Sequence, residues 1–263
     1  MANVLIESQT MTDIANAIRE KSSTVEKMKP AEMPKTIREM EVVDTGVGSR
    51  QWWLDVFSQK KNFANMFENC SMTTIPQLDT SKGKNFDHMF YQCGNLTTIP
   101  QLNTSNGTSF FEMFGYCGNL TTIPQLDTSN GTSFDGMFTV CRNLTTIPQL
   151  DTSKGKSFKS MFGYCVNLTT IPQLDTSNGT NFTDMFVLCH ALKNISFVAG
   201  CIKKSIWFAR SDKLTDESIQ SIIDGLADLT GQTAQTITFH TTIKNKLTEE
   251  QIASATSKNW NIA

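Results

Sequence analysis

The sequence lacks an excess of charge of either sign. Its 263 residues carry 23 basic and 25 acidic side chains, which leaves a net charge of −2 at pH 7. Because there is no basic field, the composition gives no support for binding to nucleic acid or to an anionic membrane. No apolar run approaches the roughly 20 residues needed to span a bilayer, and no basic segment followed by an apolar one marks a signal peptide. We therefore expect a protein that is made in the cytoplasm and is not inserted into a membrane.

Residues arranged for catalysis are also scarce. The three histidines, His88, His190 and His240, are far apart, and the chain has neither a glycine-rich phosphate loop nor a nucleophile elbow. No pair of acids stands apart from the predicted turns, which disfavours a glycan-cleaving enzyme. Cys189 precedes His190, but the repeat pattern predicts that this cysteine points inward and its neighbour outward. The sequence therefore predicts a non-enzymatic protein without a metal or cofactor.

What the chain does contain is repetition. A unit of 24 residues close to CGNLTTIPQLDTSNGTSFDGMF recurs five times, and its cysteines lie 24 residues apart at Cys93, Cys117, Cys141, Cys165 and Cys189. Cys70 lies 23 residues before Cys93, and Cys201 is outside the pattern. An odd number of cysteines without an export signal favours free thiols, which we expect to be small buried side chains. Disulfides between neighbouring units and metal binding are the alternatives.

Each unit predicts a short strand followed by a short helix. Apolar residues recur at every third position through LTTIPQL, as in a leucine-rich repeat, and those of residues 110–117 then fall at i, i+3, i+4 and i+7. Between the two elements, Gly107 and its equivalents are expected to supply a positive φ. One unit cannot bury both of its faces, so the copies are expected to stack.

The predicted fold is therefore α/β, a leucine-rich-repeat solenoid with a strand and a helix in each 24-residue rung. Residues 51–202 would form the solenoid, with the apolar RQWWLDVF as its N-terminal cap. Residues 203–263 predict an α/β C-terminal cap that continues the stack, with strands at SIWFA and TITFH and capped helices from Thr215 and Thr248. Residues 1–43 form a separate helical module, and residues 44–50 are a linker.

The N-terminal module is predicted to attach the protein to a partner. Met11, Ile14 and Ile18 lie on one face of a first short helix, and Met33 and Ile37 lie on a second. Two helices of this size bury too little surface to be stable alone. We therefore expect residues 1–42 to dock onto another protein or to associate with further copies of the chain, as in a homotrimer.

Two surfaces of the solenoid are candidates for ligand binding. On the predicted helix face, residues that vary between units include aromatic side chains suited to contact with a partner: His88, Tyr91, Phe111, Tyr116, Lys159 and Tyr164. Neutral sequence drift at exposed positions is the alternative explanation of this variation. The predicted strand face offers hydroxyl and amide groups at a fixed spacing, suited to a repetitive glycan: Thr98, Gln101, Thr122 and Gln125. These groups could instead form a hydrogen-bonded ladder between rungs.

One further position of the repeat is acidic: Asp79, Asn103, Asp127, Asp151 and Asp175. Like charges on neighbouring rungs repel each other unless donors or a cation offset them. We expect each carboxylate to accept hydrogen bonds from the Thr-Ser residues that follow it. A cation bound along this column is the alternative.

The repeats, in the form MFxxCxNLTTIPQLDTSxGxxF over about residues 60–202, resemble the BspA-like leucine-rich-repeat family. The ending FARSDKLTDESIQSIIDGLADLTG is similar to the closing segment of such proteins in bacteria and prophages. Members of this family often lie on cell surfaces and bind host or matrix molecules. The resemblance therefore implies a binding protein with a leucine-rich-repeat fold.

The segment MTDIANAIREKSSTVEKMKPAEMPKTIREM resembles the N-terminal part of tail and baseplate-associated structural proteins of phages that infect Gram-positive bacteria. This resemblance implies a virion tail protein, assembled in the host cytoplasm, whose partners are a tail or baseplate protein and a bacterial surface polymer or protein. A bacterial cell-surface adhesin of the BspA-like family is the alternative.

Overall fold

The computed structural model of the protein describes residues 60–75 and 77–263. The predicted helical module (1–43), the linker (44–50) and the start of the N-terminal cap (51–59) lie outside the described residues. No helix among the residues described is both long enough and apolar enough to cross a bilayer.

Six segments with the pattern Phe-x-x-Met-Phe-x-x-Cys recur, and we call them turn segments 1 to 6: residues 63–70, 86–93, 110–117, 134–141, 158–165 and 182–189. Each segment lies parallel to the next. In turn segment 3, the N–H groups of Phe110 and Phe114 donate to the carbonyl groups of Ser133 and Met137, at 3.1 and 3.0 Å. Because the same pairing recurs along the chain, backbone hydrogen bonds join consecutive repeats in a constant register.

The apolar positions of the repeat form columns in the core. The first phenylalanines of the six turn segments stack on one another, as do the second phenylalanines, with ring centroids 5.5–5.8 Å apart. The repeated methionines, cysteines, leucines and isoleucines are buried beside them. The predicted inward positions are thereby confirmed, and burial of such columns supplies the apolar area that one unit lacks.

The predicted helix within each repeat is wrong. In the described residues before Asp216 there is no α-helix, and residues 110–117 form consecutive turns instead. The N–H group of Met113 donates to Phe110 O at 3.2 Å, whereas that of Phe114 donates to the next repeat. Turns of four residues bury positions i, i+3, i+4 and i+7 just as a helix does, and the neighbouring repeat replaces the i−4 carbonyl as acceptor. The spacing of apolar residues in the sequence therefore could not distinguish a helix from consecutive turns.

The predicted positive φ at the glycine of each repeat is also wrong, since Gly107 and its equivalents are not in the left-handed region. A Cβ atom at Gly107 would lie 2.6 Å from Cζ of Phe110 and 2.9 Å from the carbonyl oxygen of Thr104. Real Cβ atoms do not approach other atoms so closely. Glycine is needed there because the core phenylalanine packs against the backbone.

The strand of each repeat is regular only in the last two copies. Strand β1 (Thr170–Leu174) pairs in parallel with β2 (Asn194–Phe197), and the register shifts between Ile171 and Leu174. Proline in LTTIPQL has no N–H group to donate, which interrupts the ladder at that point. Because regular strands occur in only two copies of the repeat, the assignment to the leucine-rich-repeat solenoid class remains a prediction.

The C-terminal part is a small parallel sheet with helices. Its elements are β3 (Ile206–Phe208), α1 (Asp216–Gly225), β4 (Gln235–Phe239), α2 (Thr241–Lys244), α3 (Glu249–Ser257) and β5 (Trp260–Ile262). The sheet order is β3-β4-β5. Thr215 and Thr248 accept hydrogen bonds from the N–H groups of Ser218 and Gln251, as N-caps do. The two strands and two capped helices predicted here are confirmed.

The core continues from the repeats into this part of the chain. The ring of Phe186, in turn segment 6, stacks on Phe208 of β3 at 4.7 Å, and Phe208 stacks on Phe239 of β4 at 6.1 Å. Ile202 and Leu226 form a further parallel bridge. The last repeat is therefore covered by apolar residues of the C-terminal sheet rather than by water.

All seven cysteines are buried free thiols, and the predicted inward orientation of the repeated ones is confirmed. Five of them, from Cys93 to Cys189, donate from Sγ to a phenylalanine carbonyl group of the preceding repeat, as from Cys117 to Phe90 O at 3.0 Å. Burial raises the pKa of Cys117 and of Cys165 to about 12. These two thiols thus stay protonated, and each joins two repeats.

Candidate functional site

The variable positions of the repeat lie together on one surface. We call it the variable face: the second, third, sixth and seventh residues of each turn segment, which differ from repeat to repeat between the fixed core positions. All third and seventh residues have φ between 47° and 62°. A left-handed residue costs about 1–2 kcal/mol when it is not glycine. The core packing on both sides therefore has to hold the backbone of this face in place.

Four of the predicted site residues form one aromatic cluster on the variable face. The His88 ring meets the rings of Tyr91 and Phe111 edge-on, with centroids 4.9 and 4.8 Å apart. Tyr91 in turn meets Tyr116 edge-on at 5.4 Å. His88 and Tyr91 belong to turn segment 2, whereas Phe111 and Tyr116 belong to turn segment 3. The cluster therefore exists only because two repeats lie side by side.

A glycine in the next repeat makes room for the central tyrosine. Gly115 occupies the position that corresponds to Tyr91, and a Cβ atom there would lie 3.0 Å from Cδ2 of Tyr91. Because Gly115 has no side chain, the Tyr91 ring can lean over the following repeat towards Tyr116. Tyr116 remains 45% exposed and forms the outer edge of the cluster.

A carboxylate borders the same cluster. Nε2 of His88 lies 3.2 Å from Oε2 of Glu112, which is the third residue of turn segment 3 as His88 is of turn segment 2. Partial burial, and next the carboxylate of Glu112, raise the pKa of Tyr91 above its ordinary value, because both disfavour the phenolate. The surface thus combines aromatic faces with a phenol donor and a carboxylate acceptor.

Glu112 and Gly115 were not among the residues predicted from the sequence. The signal that identifies them is the register of the repeat, since Glu112 lies 24 residues after His88 and Gly115 lies 24 after Tyr91. Residues at that spacing are direct neighbours in the structure. A comparison of each variable residue with the residue 24 positions later would have placed Glu112 beside His88 and Gly115 beside Tyr91.

The other two predicted residues of this face lie apart from the cluster. Lys159 is exposed at the second position of turn segment 5, where its N–H group donates to Oδ1 of Asp135 at 2.8 Å. Tyr164 is 44% exposed at the seventh position of that segment and has no aromatic ring against it among the described residues. They lie two turn segments further along the chain than Tyr116, with turn segment 4 between.

The strand face has two kinds of predicted residue. Gln101 and Gln125 donate from Nε2 to the carbonyl groups of Gln125 and Gln149, at 2.6 Å in both cases, so their amide groups join consecutive repeats. Thr98 and Thr122 are exposed, and their hydroxyl groups bond to no other residue in the described part of the chain. The glutamines are thus engaged in the stack, whereas the threonines face solvent.

The carboxylates at the acidic position of the repeat accept hydrogen bonds from serines two residues further along the chain. Oδ1 of Asp127 accepts from the N–H and hydroxyl groups of Ser129 at 3.0 and 2.7 Å, and the same pattern recurs at Asp151 and Asp175. These bonds lower the pKa of Asp127. Among the described residues, no group of three or more histidine, cysteine or acidic side chains is placed to hold a metal ion.

The repeat region matches one family model, described as "Mycoplasma protein of unknown function, DUF285", over residues 61–168 and 119–198. These matches together cover more than half of the chain. The chain belongs to this family. DUF285 is a repeat family related to BspA-like proteins in general. No curated protein sequence matches the chain.

The aromatic cluster lies inside the DUF285 match, whereas strands β3 to β5 lie beyond its end at residue 198. The residues predicted to attach the protein to a partner lie before the start of the DUF285 match at residue 61: Met11, Ile14, Ile18, Met33 and Ile37. Those five residues lie outside the part of the chain that the structure describes. Membership in DUF285 therefore concerns the repeats alone.

Proposed function

We propose that the protein is a non-enzymatic structural component of a phage or prophage tail or baseplate, which recognises the host surface through its variable face. The aromatic cluster of His88, Tyr91, Phe111 and Tyr116 is the contact surface, and residues 1–42 attach the protein to the particle or to further copies of itself. The ligand is a polymer or protein of the bacterial surface.

The observation that carries this proposal is the contrast between a fixed core and a variable aromatic surface. Tyrosine and other aromatic residues dominate the energy of many interfaces, because they bury a large apolar area and keep a polar group at the edge. Here they are gathered across two repeats. Other repeats carry non-aromatic residues at each of these four positions, such as Gly136, Gly163, Lys159 and Gln92.

Binding of the purified full chain to isolated Gram-positive cell walls tests the contact surface. Tyr116→Ala is expected to weaken binding by about tenfold, as for an interface hot spot. Tyr164→Ala is the matched control, because Tyr164 occupies the same position of the repeat with similar exposure and the same left-handed backbone. Equal binding by the two variants would contradict the role of the cluster. Protease-treated and periodate-treated walls show whether the ligand is a protein or a glycan.

A bacterial surface adhesin is the second candidate, and the relation of DUF285 to BspA-like repeat proteins favours it. Deletion of residues 1–42 separates the two hypotheses. In a tail protein, the deletion is expected to abolish incorporation into particles while the purified protein still binds cell walls. In an adhesin, cell adhesion persists and no particle contains the full-length chain.

A further inference from the structure

A cleft of about 420 Å³ lies where the last repeat meets the C-terminal sheet. One wall is formed by residues 180–184, which include the start of turn segment 6, and the other by β3 and β4 with the residues before them. Pockets for small ligands usually have volumes of about 300–1,000 Å³. The cleft lies apart from the aromatic cluster, which is on turn segments 2 and 3.

Trp207 forms the apolar part of this cleft. In β3, Ile206 and Phe208 are buried and Trp207 points to the opposite face of the sheet, where it is half-buried beside Thr238 of β4. No aromatic ring of the described residues stacks on Trp207, and its indole N–H group has no hydrogen-bond acceptor among them. By contrast, the indole of Trp260 donates to Ala227 O at 2.8 Å.

One edge of the cleft is held rigid by its own hydrogen bonds. Oε1 of Gln235 accepts from both the N–H and the hydroxyl group of Ser205 at 3.0 Å. The hydroxyl oxygen of Ser205 in turn accepts from the N–H group of Thr236 at 2.9 Å. These bonds join the start of β3 to β4, so that the wall that carries Trp207 and Thr238 is preformed.

Around this edge, polar groups of both kinds remain available. The amide nitrogen of Asn181, the hydroxyl of Thr238, the carboxylate of Asp184 and the ammonium group of Lys204 make no side-chain hydrogen bond within the described part of the chain. They provide donors and acceptors together, and the one anion and the one cation cancel in charge. The lining therefore suits a neutral ligand with many hydroxyl groups rather than a charged one.

We propose that this cleft binds a neutral pyranose unit of a glycan. The apolar C–H face of the sugar ring packs on the indole of Trp207, and its hydroxyl groups bond to Asn181, Asp184, Lys204 and Thr238. A sugar hydroxyl both donates and accepts, which matches the mixed lining. The site is separate from the aromatic cluster on turn segments 2 and 3, although Asp184 is the third residue of turn segment 6. It does not depend on the function proposed for that cluster.

Titration of the full chain, with nitrogen-15 in its tryptophan side chains, by two neutral trisaccharides tests the proposal. The probes are the trimer of N-acetylglucosamine and the trimer of glucose. We expect at least one to shift the indole N–H signal of Trp207 saturably, with a Kd of about 1 mM or below. Trp207→Phe lacks this signal and thereby assigns it.

Three variants locate the binding. Trp207→Ala is expected to weaken it by about tenfold and Thr238→Val by about threefold, because each removes one of the proposed contacts. Thr242→Val is the matched control, since it removes an exposed hydroxyl with no partner among the described residues from α2, outside the lining of the cleft, and it should leave the Kd unchanged. If Trp207→Ala fails to fold, the affinity of Thr238→Val and the shift of the Trp207 signal in the wild-type chain show whether the sugar binds in the cleft.

The proposal is overturned if neither trisaccharide shifts the Trp207 signal at concentrations up to about 20 mM. It is also overturned if Thr238→Val binds as the wild-type chain does, or if Thr242→Val alone weakens binding. Tighter binding of a neutral peptide such as Ala-Ser-Ala than of both sugars would assign the cleft to peptides instead.

Discussion

The imidazole of His88 lies 3.2 Å from the carboxylate of Glu112, the residue that corresponds to it one repeat further along the chain. Their side chains are 29% and 25% exposed. The pair thus links turn segments 2 and 3 on the variable face, beside the rings of Tyr91 and Phe111. It is a direct contact between repeats that does not pass through the core.

Replacing Glu112 by glutamine is expected to lower the free energy of unfolding by up to about 1 kcal/mol, because a partly exposed contact between polar side chains is worth little more. The same substitution should move the pKa of Tyr91 down towards its ordinary value of 10.0, because it removes a carboxylate that raises it. Urea unfolding and the ultraviolet absorbance of tyrosinate measure the two effects.

Glu217→Gln is the control for this prediction, since Glu217 is exposed in the first turn of α1, far along the chain from the cluster. It should leave the pKa of Tyr91 unchanged. An unchanged Tyr91 pKa in Glu112→Gln as well would contradict the contact between the two residues.

Gly107→Ala is expected to destabilise the protein by about 1–3 kcal/mol, the usual range for overpacking. The new methyl group would lie 2.6 Å from Cζ of Phe110, and the ring cannot withdraw because neighbouring phenylalanines stack on both of its faces. Gly118→Ala is the matched control, because nothing lies within 4 Å of a Cβ atom there. Equal unfolding midpoints in urea would refute the steric role of Gly107.

Val140→Asn is expected to stabilise the protein by about 1 kcal/mol, since asparagine tolerates the left-handed region far better than a β-branched residue does. Val140 has a φ of 60° and is half-buried at the seventh position of turn segment 4. Val166→Asn makes the same chemical change at a half-buried valine with no positive φ, and it should not raise the thermal midpoint. A lower midpoint for Val140→Asn would contradict the prediction.

The buried thiols predict a loss of stability at alkaline pH. Burial raises the pKa of Cys117 and Cys165 from 9.0 to about 12, so below pH 9 both thiols are protonated whether the chain is folded or unfolded. Between pH 9 and 12 the unfolded chain releases these protons while the folded chain keeps them. The free energy of unfolding should then fall by about 1.4 kcal/mol per pH unit for each thiol.

Cys165→Ala is expected to make this pH dependence shallower by the contribution of one thiol, as measured by urea unfolding at pH 8 to 11. Met161→Leu serves as the control, because it alters the same buried segment without removing a titrating group and should shift the stability equally at every pH. A Cys165→Ala variant with the pH dependence of the wild-type chain would show that the thiol does not titrate on unfolding.

The sequence predicted the inward residues correctly because burial depends mainly on residue type and spacing. Leu96, Phe110 and Cys117 are apolar at the same position of every repeat, and all three are fully buried. The C-terminal elements were also predictable, since Thr215 and Thr248 are followed by amphipathic segments with acidic first turns. In both cases the signal is local in the chain.

The aromatic cluster was predicted only as a set of exposed candidates. Tyr116 and Tyr164 are equivalent in the repeat and similarly exposed, and yet only Tyr116 meets Tyr91. The difference arises from the residue present one repeat away, which the pattern of a single repeat does not contain. The same limit applies to Trp207, whose role depends on how β3 lies beside the last repeat.

The amino-acid sequence by itself determined the period of the repeat, the side chains that face inward and the capped helices near the C-terminus, because these follow from apolar spacing and from local capping. Only the tertiary structure decided that residues 110–117 form turns rather than a helix and that the repeated glycine serves packing. The physical reason is that alternate backbone N–H groups of each turn segment before the last donate to the adjacent repeat, and the acceptor there cannot be inferred from the residues next to the donor in the chain.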